Sequence, residues 1–272
     1  MSNTSKGDVI SLQNIVWHRN GKDILRNVSW NVQSGEHWAL LGLNGSGKTS
    51  ILKMITGYQW PNGGEISVLG NLFGKTNIPE LRKSIGWVSS SLDDQYQSRP
   101  SDTTLEVVLS GKFASIGLYE DITEQDIEKA TEFLQRFRIR HLANQLISSL
   151  SQGERRKAMI ARALMSSPKL LILDEPCNGL DIYSKEELLS TIEEMLATPG
   201  GPTLLYVTHH IEEIVPSITN ALLIRSGEVV ASGKKSSTLN ESLLEQTFRV
   251  PISLVWENER PWIRIKSYAE KR

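Results

Sequence analysis

The sequence predicts an α/β fold with a core of mainly parallel sheet, an N-terminal antiparallel β-subdomain and an inserted helical subdomain. Three observations carry this. Continuous apolar runs at residues 38–41, 170–173 and 204–207 have the length of strands covered on both faces, as in a parallel sheet. Apolar and polar residues alternate around Val28, Trp30 and Val32, the mark of a half-buried antiparallel strand. Helical periodicity takes over from about residue 92 to residue 167, after which strands and helices alternate again.

In chain order, residues 1–8 read as a flexible N-terminus. Val9, Ile10, Leu12, Ile15 and Val16 read as strand, ended by Asn20-Gly21, a strong two-residue hairpin signal. The run at 38–41 enters a glycine-rich turn, and residues 49–55 read as a helix. Strands are expected at 65–69 and 85–88. In the helical stretch Thr103 and Glu106 spell a capping box, and Thr123 opens a helix with Ile127, Ala130, Leu134 and Phe137 on one face. A further helix follows Ser151 and stops before Pro168. After the strand at 170–173, Ser184 with Glu187 is expected to cap the helix that carries Leu188, Ile192 and Met195. Strands at 204–207, 221–224 and 229–231 complete a domain taken as residues 9–234. Residues 235–272 read as an extension, with a short helix capped by Asn240 and then a hairpin of 252–256 with 262–265.

Composition excludes several classes of function. The 272 residues include 30 basic and 31 acidic side chains, so no overall basic field argues for nucleic acid, and none is expected as a partner. The single cysteine excludes an internal disulfide and suits a reducing cytosol. No apolar run approaches the roughly 18 residues that cross a bilayer, and the start lacks the apolar stretch of a signal peptide. The protein is expected in the cytoplasm, where any work at a membrane needs another chain to provide the span.

Two motifs carry chemistry. Gly42-Leu43-Asn44-Gly45-Ser46-Gly47-Lys48-Thr49 follows an apolar strand and precedes a helix, which is the context a phosphate-binding P-loop requires. Its glycines let the backbone wrap a phosphate, and the helix N-terminus adds positive potential. Gly42, Asn44, Gly45, Ser46, Gly47, Lys48, Thr49 and the following Ser50 form the expected nucleotide site, with Lys48 on the β- and γ-phosphates and the Thr49 hydroxyl on Mg²⁺. In the second motif, residues 170–173 bury a strand and Asp174 and Glu175 emerge at its C-terminal end, where open α/β sheets place their ligands. Asp174 is expected to hold Mg²⁺ through water, and Glu175 to accept a proton from the attacking water. These features define a P-loop NTPase core.

Leu150-Ser151-Gln152-Gly153-Glu154 narrows the class. Taken alone, Ser151 reads either as a helix cap or as a second anion site built from a hydroxyl, a glycine and a helix N-terminus. With the other two motifs, this stretch resembles the signature of the nucleotide-binding domain of ATP-binding cassette (ABC) proteins. The resemblance covers residues 9–233, with GLNGSGKT similar to Walker A and LLILDE to Walker B. It implies that Asn178-Gly179-Leu180-Asp181 is the D-loop, with Asp181 near nucleotide. It also implies that His209, after Thr208, contacts the γ-phosphate, and that Trp17 stacks on adenine unless it is a packing residue. Ser151 and Gly153 would complete the site of a second copy, in a head-to-tail pair with two ATP molecules sandwiched. Where the family usually has a metal-contacting glutamine, this chain has Ser90, and Gln95 or Gln97 are the alternatives. The implied role is the ATP-hydrolysing subunit of a transporter, peripheral on the cytoplasmic face of the membrane and docked on membrane-spanning permease subunits. The alternative is a soluble ABC ATPase with a regulatory, repair or translation-related role.

Overall fold

The computed structural model describes residues 7–89, 101–113, 117, 121–198 and 200–266. They form two units, residues 1–81 with 203–272, and residues 82–202. The first unit opens with β1 (Asp8–Arg19) and β2 (Lys22–Gln33), which pair antiparallel. Asn20 and Gly21 join them with φ of 51° and 71°, the left-handed pair that a tight primed turn needs. Ile10, Leu12 and Ile15 are buried on β1, and Leu25, Val28, Trp30 and Val32 on β2, so the alternating face is the one turned inward. β3 (Trp38–Leu41) is buried at every position and leads through the glycine turn into α1 (Lys48–Ile55). β4 (Gly63–Val68) pairs antiparallel with β1, and β5 (Asn71–Leu72) with β4, giving a sheet ordered β2-β1-β4-β5. α2 (Ile78–Arg82) follows.

In the second unit, β6 (Ile85–Val88) lies parallel to a strand from much later in the chain, at Leu170–Asp174. Before that strand come α3 (Thr104–Ser110), α4 (Glu124–Arg136) and α5 (Gln152–Met165). The strand itself is β7, and α6 (Ile182–Leu196) follows it. Reciprocal capping boxes start α3, α4 and α5, at Thr103 with Glu106, Thr123 with Asp126, and Ser151 with Glu154. Gly111 ends α3 where a Cβ would fall 1.9 Å from the Arg162 carbonyl oxygen, so only glycine permits α3 to approach α5 this closely.

Two positions differ from what the sequence pattern predicts. Ile127 is exposed, while Ala130, Leu134 and Phe137 are buried. The inward position at the start of α4 goes to Asp126, held by the Thr123 hydroxyl and the Lys112 ammonium, both at 2.7 Å. Ser184 and Glu187 do not cap α6 either. The helix begins earlier, because the Asp181 carboxylate accepts the Ser184 N–H at 2.9 Å, and a charged N-cap fixes the start. Glu187 instead pairs with the buried Lys157 ammonium of α5 at 2.6 Å.

The first unit resumes with β8 (Thr203–Thr208), β9 (Asn220–Arg225) and β10 (Glu228–Lys234). β3 lies between β8 and β9, parallel to both, with Leu40 facing Val207 on one side and Leu222 on the other. β10 returns antiparallel to β9 across Ser226-Gly227. α7 (Lys235–Thr238) and α8 (Glu241–Phe248) follow, α8 capped by Asn240 as its sequence indicates. The hairpin of β11 (Ile252–Glu257) and β12 (Arg260–Ile265) is the last described element. Among the described residues no helix is long and apolar enough to cross a membrane.

Candidate functional site

The glycine loop leaves β3 and is pressed against its neighbours in the first unit. A Cβ at Gly42 would lie 2.3 Å from the Ile224 carbonyl oxygen of β9, and one at Gly47 2.7 Å from Leu25 Cδ2 of β2. Gly45 and Gly47 have φ of 77° and 111°, in the left-handed region where a side chain is strained. This backbone turns the loop back over the start of α1. Lys48 is buried, and its Nζ donates to the carbonyl oxygens of Gly42 at 2.7 Å and Leu43 at 3.3 Å, which holds the ammonium across the loop. The Ser46 hydroxyl is buried with no hydrogen-bond partner among the described residues. Leaving such a group unpaired is costly, and a phosphate oxygen would satisfy it. The first N–H groups of α1 have no partner inside the helix, so they add donors and positive potential at the same end. Asn44, Gly45 and Thr49 are exposed and Ser50 is half-buried. The loop thus fits a phosphate-bearing ligand, and the exposed Thr49 hydroxyl fits a hard cation carried with it.

Two other candidates belong to this unit. Trp17 is half-buried on β1 and pairs with Leu25, whose side chain lies against Gly47. That register puts the indole one strand away from the loop. His209 follows β8, whose last residue Thr208 is the neighbour of Leu41, the residue before the loop. The parallel register therefore brings His209 and Gly42 to the same sheet end. The His209 and His210 rings lie against each other with centroids 4.1 Å apart and planes tilted by 39°.

The turn after His209 is held by an acid that sequence reasoning missed. Glu213 is buried, and its carboxylate accepts from the Thr208 hydroxyl at 2.7 Å and the Tyr206 hydroxyl at 3.1 Å. Thr208 Oγ1 in turn accepts the His210 N–H at 3.0 Å. Burial pushes the Glu213 carboxyl above its ordinary range, against the pull of those hydroxyls. The available signal was an acid flanked by Ile211, Ile214 and Val215, since a carboxylate among apolar residues needs partners.

The remaining candidates lie in the second unit. β7 is buried up to Leu173, and the half-buried Asp174 is its last residue. Glu175 follows with φ of 50°, a left-handed conformation that is strained for a non-glycine residue and concentrates at functional sites. The Ser151 hydroxyl donates to Glu154 Oε2 at 2.7 Å and accepts the Glu154 N–H at 3.3 Å, so Ser151 is the N-cap of α5. This hydroxyl keeps the Glu154 carboxyl below its ordinary value. Gly153 is close to α6, and a Cβ there would lie 3.1 Å from Ser184 Cβ. Asp181 is held by its cap: one oxygen accepts the Ser184 N–H and the other the Ser184 hydroxyl at 2.8 Å, which lowers its pKa. Gln152 Nε2 donates to the Asn178 carbonyl at 3.1 Å, tying α5 to the Asn178–Asp181 turn. Gln152 and Ser184 join these two motifs, a role that the sequence pattern does not indicate for either. Ser90, Gln95 and Gln97 lie outside the described residues.

Known proteins resemble this chain in sequence and in fold. The family model described as ABC transporter matches residues 25–178, a span that contains the glycine loop, the Leu150–Glu154 stretch and the acidic end of β7. The ABC transporter ATP-binding protein YlmA of Bacillus subtilis (strain 168) is 45% identical over 256 residues, covering 94% of this chain and 96% of its own. CbiO1 from Clostridium perfringens, part of the ABC transporter complex CbiONQ, superposes with a TM-score of 0.74 at 26% identity, covering 88% of this chain and 94% of its own. The bacterial ABC transporter cassette MJ0796, solved as a dimer, superposes with a TM-score of 0.69 at 27% identity, covering 83% of this chain and 98% of its own. These likenesses support the transport reading and lend nothing to the regulatory, repair or translation-related alternative. By sequence and by fold, the chain belongs to the ABC transporter family, as one of its ATP-binding subunits.

Proposed function

We propose that this ATP-hydrolysing subunit binds ATP with Mg²⁺ at the glycine loop and pairs head to tail with a second copy, driving a solute through membrane-spanning permease subunits. The observation that carries the reading is the phosphate cradle, in which a buried Lys48 ammonium and the unpartnered Ser46 hydroxyl share one loop. Lys48 supplies positive charge to the β- and γ-phosphates, and the loop and α1 amides supply oriented donors. Mg²⁺, held by Thr49 and through water by Asp174, would neutralise charge on the phosphate oxygens. Glu175 is assigned to orient the attacking water and accept its proton, and His209 to contact the γ-phosphate. Trp17 stacks on adenine.

Ser151 and Gly153, at the start of the 14-residue α5, are assigned to the γ-phosphate bound by the second copy. Pairing would then depend on ATP, and hydrolysis would release it. The solved dimers of MJ0796, one of them in a post-hydrolysis state with ADP and Pi, support this part of the reading. The permease partner follows from the same reading, with the chain peripheral on the cytoplasmic face. Affinity purification of the tagged chain from detergent-solubilised membranes tests it. Recovery with a polytopic membrane protein is expected, and recovery from the soluble fraction alone would contradict the transport role.

A further inference from the structure

The hairpin of β11 and β12 packs on the turn that follows His209, and two cations make the junction. Arg260 Nε donates to the Glu212 carbonyl oxygen at 2.5 Å. Its guanidinium lies over the Trp262 ring, 4.7 Å from the centroid, which orients the fork before it meets the carbonyl. Lys235, the first residue of α7, answers from the other side. Its buried Nζ donates to the carbonyls of Val215 at 3.3 Å, Pro216 at 2.9 Å and Glu259 at 3.2 Å. One ammonium therefore joins the hairpin turn to the segment just beyond Glu213. At its opposite end the hairpin is fixed to α8, where Glu245 accepts the Ile252 N–H at 2.9 Å and Glu241 the Leu254 N–H at 3.0 Å.

The segment so held has little regular structure of its own. Between β8 and β9 only a single 3₁₀ turn, Ile211–Glu213, is formed. Glu212, whose carbonyl Arg260 holds, lies next to Glu213, and Glu213 is bonded to Thr208, the residue before His209. A displacement of the Glu212 carbonyl would pass through two bonded residues to the backbone of His209.

We propose that Arg260 and Lys235 are positioning residues for hydrolysis, holding the His209 turn in register through the C-terminal hairpin. The proposal rests on the assignment of His209 to the γ-phosphate. Both cations bond backbone carbonyls outside the assigned ATP site, so binding should be unaffected while turnover changes, because a misplacement of about 1 Å can cost up to ~10²-fold in rate.

The experiment is steady-state ATP hydrolysis by the full chain, with kcat and KM separated and thermal unfolding measured alongside. Arg260→Ala should lower kcat about 10-fold, within that bound, with KM and the melting temperature close to wild type. Arg260→Lys, which keeps a donor for the Glu212 carbonyl, should recover most of kcat, and Lys235→Met should act in the same direction as Arg260→Ala. Unchanged kcat in Arg260→Ala overturns the proposal. So does a lysine variant no better than alanine, or a loss confined to KM or to thermal stability. Glu175→Gln separates this outcome from failure of the functional reading. If wild-type hydrolysis depends on Glu175 while Arg260→Ala matches wild type, the positioning role alone is wrong. If wild type shows no Glu175-dependent hydrolysis, the assigned reaction falls and the positioning role with it.

Discussion

The Gly227 N–H donates to the Ser46 carbonyl oxygen at 2.9 Å, so the β9–β10 turn is bonded directly to the glycine loop. The Gly227 carbonyl accepts the Arg26 N–H at 2.8 Å, which ties the same turn to β2. Gly227 has φ of 81°, and a Cβ there would lie 2.2 Å from the Ile24 carbonyl oxygen. A turn about 180 residues downstream of the loop thus sets its backbone through a direct backbone hydrogen bond.

Gly227→Ala should therefore act at a distance. The left-handed φ and the clash with Ile24 should cost about 1–3 kcal/mol of stability, and the displaced loop should bind ATP more weakly. Thermal unfolding with and without Mg·ATP checks both effects. A variant as stable as wild type with an undiminished ATP-induced shift would show that the turn does not hold the loop.

Trp17→Ala should weaken ATP binding by roughly 1–3 kcal/mol if the ring stacks on adenine, by analogy with base–aromatic stacking. Titration calorimetry measures the affinity directly. A melting temperature lowered equally with and without ATP, at unchanged affinity, would make Trp17 a packing residue of β1.

Much of this molecule is legible in the sequence, and the exceptions share a cause. The Asn20-Gly21 hairpin, the buried β3, the capping box at Thr103 and the helix start at Thr123 all use residues close in the chain, so local pattern reports them. The glycine loop is equally local. The start of α6 is not legible because Asp181 and Ser184 are both good caps, and pattern alone does not rank them; the carboxylate takes the role. The exposure of Ile127 is not legible either, because periodicity does not anticipate Asp126 being drawn inward by Lys112, 14 residues earlier. The support behind His209 was invisible for a further reason. Arg260 bonds a backbone carbonyl 48 residues away, and a carbonyl is present at every position, so it leaves no mark on the side-chain pattern.

Acid should loosen the helical unit in a defined window. The Lys112 ammonium, with help from Thr123, lowers the Asp126 carboxyl from 3.8 to about 2. A carboxyl lowered on folding stabilises the native state fully above its unfolded value, and that contribution is lost as pH falls toward the folded value. Asp126→Asn should be less stable than wild type at neutral pH, and the gap should narrow between about pH 4 and pH 2. Urea unfolding across that range measures it. A gap independent of pH would mean that the Asp126 charge contributes nothing.

In the proposed function ATP joins two copies of this chain, and hydrolysis directed by Glu175 then releases them. Glu175→Gln keeps the shape of the side chain and removes the proton acceptor, so hydrolysis should fall about 10²–10⁴-fold while ATP still binds. Size-exclusion chromatography of Glu175→Gln with Mg·ATP is the most direct measurement. A dimer is predicted that depends on ATP and on protein concentration. It should be lost on adding Lys48→Ala, which removes the cation at the phosphates, or Ser151→Arg, which fills the second anion site. A strictly monomeric Glu175→Gln at high protein concentration with saturating ATP would rule out the ATP-dependent pair.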